Sequence, residues 1–176
     1  SSQPFTSALV MSNPKLFKYE LIWDKVNKYT CYQISNHRPL CRHENILIFS
    51  KGKATFNKQY REGKPYKAKR TNGFGKNILG NTVRTDTVNY GKHNPCSIIE
   101  IKGDIKSKEF YHPTEKNIEL LTYLIKTYTN EGDLILDNCM GSGTTGVAAK
   151  KTGRNFIGIE KDDTYFELAV KRIESA

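Results

Sequence analysis

The stretch from Asp137 to Gly146, DNCMGSGTTG, concentrates the groups that could hold a charged organic ligand. Gly141, Gly143 and Gly146 fit a GxGxxG spacing between an apolar run and a helical pattern, and Glu160 lies 17 residues beyond Gly143 at the end of the next apolar run. Glycines at such a turn let the backbone approach a ligand, the helix start offers N–H groups, and the acid accepts bonds from ribose hydroxyls. This is the chemistry of a nucleoside cofactor site. Spacing alone does not choose between a dinucleotide and S-adenosylmethionine, but two features favour the second. Asp137 stands at a strand end four positions before Gly141, where it suits a cationic amino group and would repel a pyrophosphate. The run Phe110-Tyr111-His112-Pro113-Thr114-Glu115-Lys116-Asn117 also has no role in a nicotinamide-binding fold.

Other constellations fail on their spacing. Cys31, Cys41, Cys96 and Cys139 form no CxxC pair, so reduced thiols and no metal site are expected. His43-Glu44 is followed by Leu47 where a zinc-protease helix needs a second His. Pro95-Cys96 has the nucleophile of cytosine-C5 chemistry, but Ser97 replaces the usual Gln and the glycine loop follows instead of preceding it. His37, His43, His93 and His112 read as structural or surface residues.

The elements that must position the loop are α/β in pattern. Ile118, Leu121, Leu124, Ile125 and Tyr128 recur at helical spacing within 114–128, after Pro113 and before Gly132, a stripe expected to pack in the core and not to bind. Asp133–Asp137 and Asn155–Glu160 read as strands on either side of a helix over 144–151, and Phe166, Ala169, Val170 and Ile173 mark a last helix over 164–174. Earlier, Tyr19–Trp23 alternates like a strand and Asn45–Phe49 reads as a buried one.

Composition separates a middle region. The chain has 176 residues and a formal net charge of +10, which suits a polyanionic partner. From Lys51 to Lys92, eleven Lys and Arg residues face only Glu62 and Asp86, with Phe56, Tyr60, Tyr66, Phe74 and Tyr90 between them. Solvated basic loops are common, yet interleaved aromatics favour nucleic-acid contact. Lys69 and Arg70 are candidates for phosphates, and Asn72 and Arg84 for base edges by side-chain chemistry. No run approaches the ~18 consecutive apolar residues of a membrane span, and with no signal peptide the expected location is cytoplasmic.

His112-Pro113-Thr114-Glu115-Lys116, the Asp137…Gly141-Ser142-Gly143-Thr144-Thr145 loop, Gly153-Arg154, Phe156-Ile157-Gly158-Ile159-Glu160, Tyr165 and Ala169…Arg172-Ile173 together resemble the permuted (beta-type) DNA amino-methyltransferases. Upstream, Ser2-Gln3-Pro4-Phe5, Tyr19–Lys25 and His43–Phe49 look like later catalytic-half motifs of phage and prophage adenine methylases, so the resemblance covers nearly the whole chain. It implies a Rossmann-like S-adenosylmethionine-dependent methyltransferase fold acting on double-stranded DNA in a restriction-modification setting. It also implies three regions: the end of a catalytic subdomain over 1–50, a basic loop-rich target-recognition insertion over 51–108, and a cofactor-binding subdomain over 109–176. Carried over by residue, Asp137, Cys139, Gly141, Ser142, Gly143 and Thr144 would hold the methionine part of the cofactor. Glu160 would bind the ribose, and Thr114 and Lys116 would border the pocket. Many relatives have Pro-Phe after the strand-end Asp, where this chain has Asn138-Cys139.

The family's catalytic groups come from an Asp/Asn-Pro-Pro-aromatic tetrapeptide, which polarises the amine of a flipped base. None of the six prolines is adjacent to another, so the tetrapeptide is absent and no catalytic residue is assigned. In the family's order it precedes the Ser-Gln-Pro-Phe segment. The chain, opening on Ser1, therefore reads as a fragment whose partner segment would lie upstream or on a separate chain. Its central sheet is expected to be incomplete, with no ladder between the strands near Tyr19 and Ile46 and those near Leu134 and Ile157. Two alternatives stand beside an adenine-N6 enzyme that is inactive in this form: a non-catalytic DNA-binding remnant and a cytosine-N4 methyltransferase.

Overall fold

The computed structural model describes residues 1–69, 86–103 and 115–176. The chain forms two units, one of Ser1–Asn57 with Cys96–Ala176 and one of Lys58–Pro95. In the first, helix α1 (Phe5–Ser12) precedes strands β1 (Phe17–Asp24) and β2 (His43–Phe49). The second contains four short strands: β3 (Arg61–Glu62), β4 (Tyr66–Ala68), β5 (Thr87–Asn89) and β6 (Lys92–His93). The first unit then resumes with β7 (Ile98–Glu100), α2 (Ile118–Tyr128), β8 (Leu134–Asp137), α3 (Thr144–Lys151), β9 (Asn155–Gly158) and α4 (Asp163–Glu174). The separate unit is thus narrower than the 51–108 span, because β7 lies parallel to β1 in the main unit, Ile22 opposite Ile98 and Asp24 opposite Glu100.

Helix α2 organises the main unit. It begins at Ile118, later than the pattern from 114 suggested, because Asn117 is extended and its side chain accepts the N–H groups of Glu119 and Leu120. An Asn cap satisfies donors that the first turn leaves open. One side of α2 presents Leu120 to Trp23, Ile99 and Ile101, with Tyr123 and Leu124 adding contact. Ile125, a turn further on, packs with Ala148 and Ala149 of α3, joined by Leu121, Ile135 and Phe156. The helix therefore ties two sheets, each through its own apolar cluster. Trp23 is 4% exposed and its indole N–H donates to Ile101 O at 2.8 Å, so burial leaves no polar orphan there.

The first sheet has the order β2-β1-β7, and β8 and β9 form a separate parallel pair, Leu134 opposite Asn155 and Asp137 opposite Gly158. Among the described residues no ladder joins the two sheets. Strand β2 is half-buried and not the buried strand that its composition suggests, because it is an edge strand. In the parallel pair, Ile135 and Phe156 face the helices while Leu134, Leu136, Ile157 and Ile159 remain between 49% and 62% exposed. Parallel sheets ordinarily bury both faces; this one buries one.

Candidate functional site

The chain leaves β8 at Asp137 and returns on itself before entering α3. Ile159 N–H donates to Asp137 O and Met140 N–H to Ile159 O, so the loop is hydrogen-bonded to the end of the neighbouring strand. Gly141 and Gly143 take positive φ values of 54° and 78°, and Gly143 caps α3 in the left-handed region without a side-chain cap. A Cβ on Gly143 would meet the Ala169 Cβ at 2.8 Å, so this glycine serves both the turn and the approach of α4. Gly146 is a packing residue: a Cβ there would collide with Ile173 and Phe156.

A cavity of about 470 Å³ opens over this loop, lined by Glu115, Lys116, Leu121, Asp137, Cys139, Met140, Gly141, Ser142, Thr144, Thr145 and Glu160. Of the residues the sequence marked, Lys116, Asp137, Cys139, Gly141, Ser142, Thr144 and Glu160 meet there, and Gly143 supplies the turn behind them. Thr114 lies outside the described residues, as do Arg70, Asn72 and Arg84. Lys69 lies in the second unit and is exposed.

Each acid has an identified structural tie. Asp137 accepts the Thr145 hydroxyl at 2.6 Å and the Cys139 N–H at 3.1 Å, which turns its carboxylate toward the loop. Glu160 accepts Gly141 N–H at 2.8 Å through one oxygen and the Lys161 and Asp162 N–H groups through the other. The Glu160 carboxylate thus shapes the glycine turn. Such a site is rich in acid, with Glu115, Asp137 and Glu160 around one cavity, and electrostatics disfavour a pyrophosphate there. Acceptors at two strand ends, apolar walls from Leu121 and Met140, and a glycine turn fit S-adenosylmethionine, which carries a cationic amino-acid part, a ribose and a flat base.

Glu115, Thr145, Leu121 and Met140 were not foreseen as site residues. Leu121 belongs to the stripe read as core alone, yet it both packs on α3 and walls the cavity. Glu115 accepts Thr144 Oγ1 at 3.0 Å and pairs with Arg172 Nη2 at 2.7 Å, while Arg172 Nη1 donates to Ser142 O at 2.7 Å. Arg172 was visible only as part of a motif; its reach across 57 residues to Glu115 has no sequence period to announce it.

Lys116 bonds Glu44 at 2.9 Å, and Lys25 meets the other oxygen of Glu44 at 2.7 Å. Burial alone would raise the Glu44 carboxyl, but the hydrogen bonds and charges of Lys116 and Lys25 outweigh it and hold it down at about 2. Lys25 and Glu44 also line a second cavity of about 600 Å³ with Ser1, Gln3, Cys31 and Arg38. A single carboxylate therefore joins the loop site to the sheet beside the second cavity. The described residues contain no cluster of His, Cys, Asp and Glu suited to a metal, and the four cysteines are free thiols. No described helix is long and apolar enough to cross a membrane.

Comparison with known proteins adds a lineage to this geometry. A DNA methylase family model of the N6/N4 type matches residues 6–171. The type II methyltransferase M2.DpnII of Streptococcus pneumoniae is 53% identical over 64 residues, 36% of this chain and 24% of that protein. The type II methyltransferase M.HindIII of Haemophilus influenzae is 32% identical over 153 residues, 84% of this chain and 44% of that protein. The chain thus spans less than half the length of these relatives. Among solved structures, the M1.HpyAVI–SAM complex superposes with a TM-score of 0.68 at 28% identity, over 98% of this chain and 71% of that one. The cytosine-N4-specific PvuII DNA methyltransferase superposes with a TM-score of 0.62 at 18% identity, over 96% of this chain and 55% of that one, a likeness of fold.

Proposed function

The chain belongs to the N6/N4 DNA methylase family, and from that premise we propose that it is the cofactor-binding and DNA-reading part of an adenine-N6 methyltransferase. The observation that carries this reading is the acid-rich cavity at the ends of two parallel strands, with Asp137 on one and Glu160 just beyond the other. When bound, S-adenosylmethionine supplies an electrophilic methyl group. Glu160 would accept its ribose hydroxyls, Asp137 would face its cationic amino group, and Leu121 and Met140 would enclose apolar surface. Arg172 and Glu115 hold the Ser142–Thr144 turn in place from behind.

The reading assigns binding, not bond-making, to these residues. The Asp/Asn-Pro-Pro-aromatic tetrapeptide does not occur in this sequence, and orientation of a target amine is where ~7–11 kcal/mol of barrier reduction can arise. On this account the chain alone does not methylate DNA, and further polypeptide carrying the tetrapeptide completes the enzyme. The open apolar face of β8 and β9 and the absence of a ladder between the described sheets support that view. Added strands would pair with the open edge, and helices packed on that face would cover Leu134, Leu136, Ile157 and Ile159. Double-stranded DNA is the substrate, and a cytoplasmic location suits an enzyme with free thiols.

Cytosine-N4 is the second reading, because the matching family model spans N6 and N4 enzymes. Adenine is preferred on the upstream motifs around Ser2–Phe5 and Tyr19–Lys25. The deciding assay follows labelled methyl transfer to DNA by the chain alone and with a tetrapeptide-bearing segment from a relative, then identifies the methylated base by mass spectrometry. N6-methyladenine formed only on mixing is expected. Turnover by the chain alone would refute the division of labour, N4-methylcytosine would move the target, and DNA binding with no turnover in any mixture would leave a non-catalytic remnant.

A further inference from the structure

The charges around the loop cavity suit only part of the proposed cofactor. Glu115 is paired with Arg172 at 2.7 Å, while Asp137 and Glu160 take neutral N–H and hydroxyl donors. An acid-rich wall attracts the ammonium and sulfonium groups of S-adenosylmethionine and repels its carboxylate. Among the described lining residues, Lys116 is the one cation that could receive that carboxylate.

The backbone of Lys116 is fixed on both sides. Glu115, before it, accepts Thr144 Oγ1 from the glycine turn at 3.0 Å, and Asn117, after it, is buried and caps α2. Its side chain is 46% exposed on a flexible four-carbon stem, and ordering such a stem works against binding. Glu44 supplies the restraint, accepting the Lys116 ammonium at 2.9 Å. Glu44 lies on β2 opposite Trp23 of β1, so the anchor belongs to the sheet and not to a loop. A carboxylate acting alone would neutralise the lysine it holds. Here Lys25 takes the other oxygen of Glu44 at 2.7 Å, itself 8% exposed with its ammonium 5.2 Å from the centre of the Trp23 ring. Two ammonium groups share one carboxylate, so the trio stays cationic, and its accessible member is Lys116. An ammonium carries three N–H donors, of which the Glu44 bond uses one.

We infer that Glu44 is a positioning residue of the cofactor site: braced by Lys25, it holds the Lys116 ammonium where it meets the carboxylate of the cofactor's methionine part. The inference rests on the S-adenosylmethionine reading above. It adds to that reading the group that meets the carboxylate and the residue that sets it.

The test is titration calorimetry of the full chain with S-adenosylhomocysteine and with its decarboxylated analogue, which keeps the amine and lacks the carboxylate. The wild-type chain is expected to bind the first about tenfold more tightly, the lower end of what a charged hydrogen bond contributes. Lys116→Met, at an exposed position, should bring the two affinities together. Glu44→Gln should cut the preference to about threefold, since the lysine remains but is no longer held. In the Lys116→Met background, Glu44→Gln should leave the ratio as it is. Glu44→Asp keeps a charge beside buried Lys25 but is shorter by a methylene, and its ratio should fall between those of wild type and Glu44→Gln. It gives the same readout from a variant that spares the fold. A purely structural Glu44 would weaken both ligands alike and leave their ratio unchanged. That result, equal wild-type affinities, or a preference that survives Lys116→Met would overturn the positioning role and leave the cofactor site standing. No binding of either ligand by the wild-type chain would remove the site as well.

Discussion

Replacing Arg172 tests whether the last helix holds the cofactor turn. Its guanidinium makes two charged hydrogen bonds, at 2.7 Å to Glu115 Oε1 and 2.7 Å to Ser142 O, and the side chains of Arg172 and Glu115 are 20% and 12% exposed. Breaking a fully buried pair by removing one partner costs about 3–5 kcal/mol, because the remaining charge is stranded. Partial exposure lets water reach Glu115, so about 2–3 kcal/mol is expected for Arg172→Ala, or roughly 5–10 °C in Tm for a chain of this size. Arg172→Lys keeps the charge but not the two-pronged reach, and should lose about half as much. Urea unfolding of Arg172→Ala, Glu115→Ala and the double variant should give a coupling energy of about 1–2 kcal/mol. Affinity for S-adenosylmethionine should fall with the single Arg172→Ala variant, since Ser142 loses its tether. Additive single effects, with coupling under about 0.3 kcal/mol, would show that the pair is incidental and the turn is held by its backbone alone.

Glu160→Ala should weaken S-adenosylmethionine binding by about 1–3 kcal/mol in titration calorimetry, and equal affinities would remove Glu160 from the site. The Glu44 carboxyl sits at about 2 in the fold against an ordinary 4.5, so its pairing contributes stability that is present above pH 4.5 and lost as pH falls toward 2. With solvent screening of a partly exposed pair that contribution is about 1–2 kcal/mol, and Glu44→Gln should flatten the acid limb of the stability profile in that window. Gly143→Ala should cost about 2–4 kcal/mol, combining left-handed strain with the close approach of the Ala169 Cβ. Ala169→Gly should recover part of that loss, and no recovery in thermal unfolding would assign the whole cost to the backbone.

The glycine loop was legible because its parts are contiguous and flanked by strands and helices whose periods are sustained. Asp137, Gly141 and Glu160 accordingly line one cavity, with Gly143 supplying the turn behind them. The helix start at Asn117 was also within reach: an Asn directly before the apolar stripe is a capping signal, and Pro113 offers a competing start signal upstream. Glu115–Arg172 and Lys25–Glu44–Lys116 were not legible, because contacts between distant residues depend on how helices and sheets stack, which no local pattern encodes. Strands of two or three residues, such as β3 and β7, are too short to show alternation.

The central claim is that the loop from Asp137 to Thr144, with Glu160, forms a site for S-adenosylmethionine and not for a dinucleotide. Titration calorimetry of the full chain with S-adenosylmethionine, its demethylated product and NADH puts that claim to the most direct test. Saturable one-to-one binding of the first two, with no heat from NADH, is the predicted result. Saturable NADH binding with none for either sulfur ligand would contradict the account at its base.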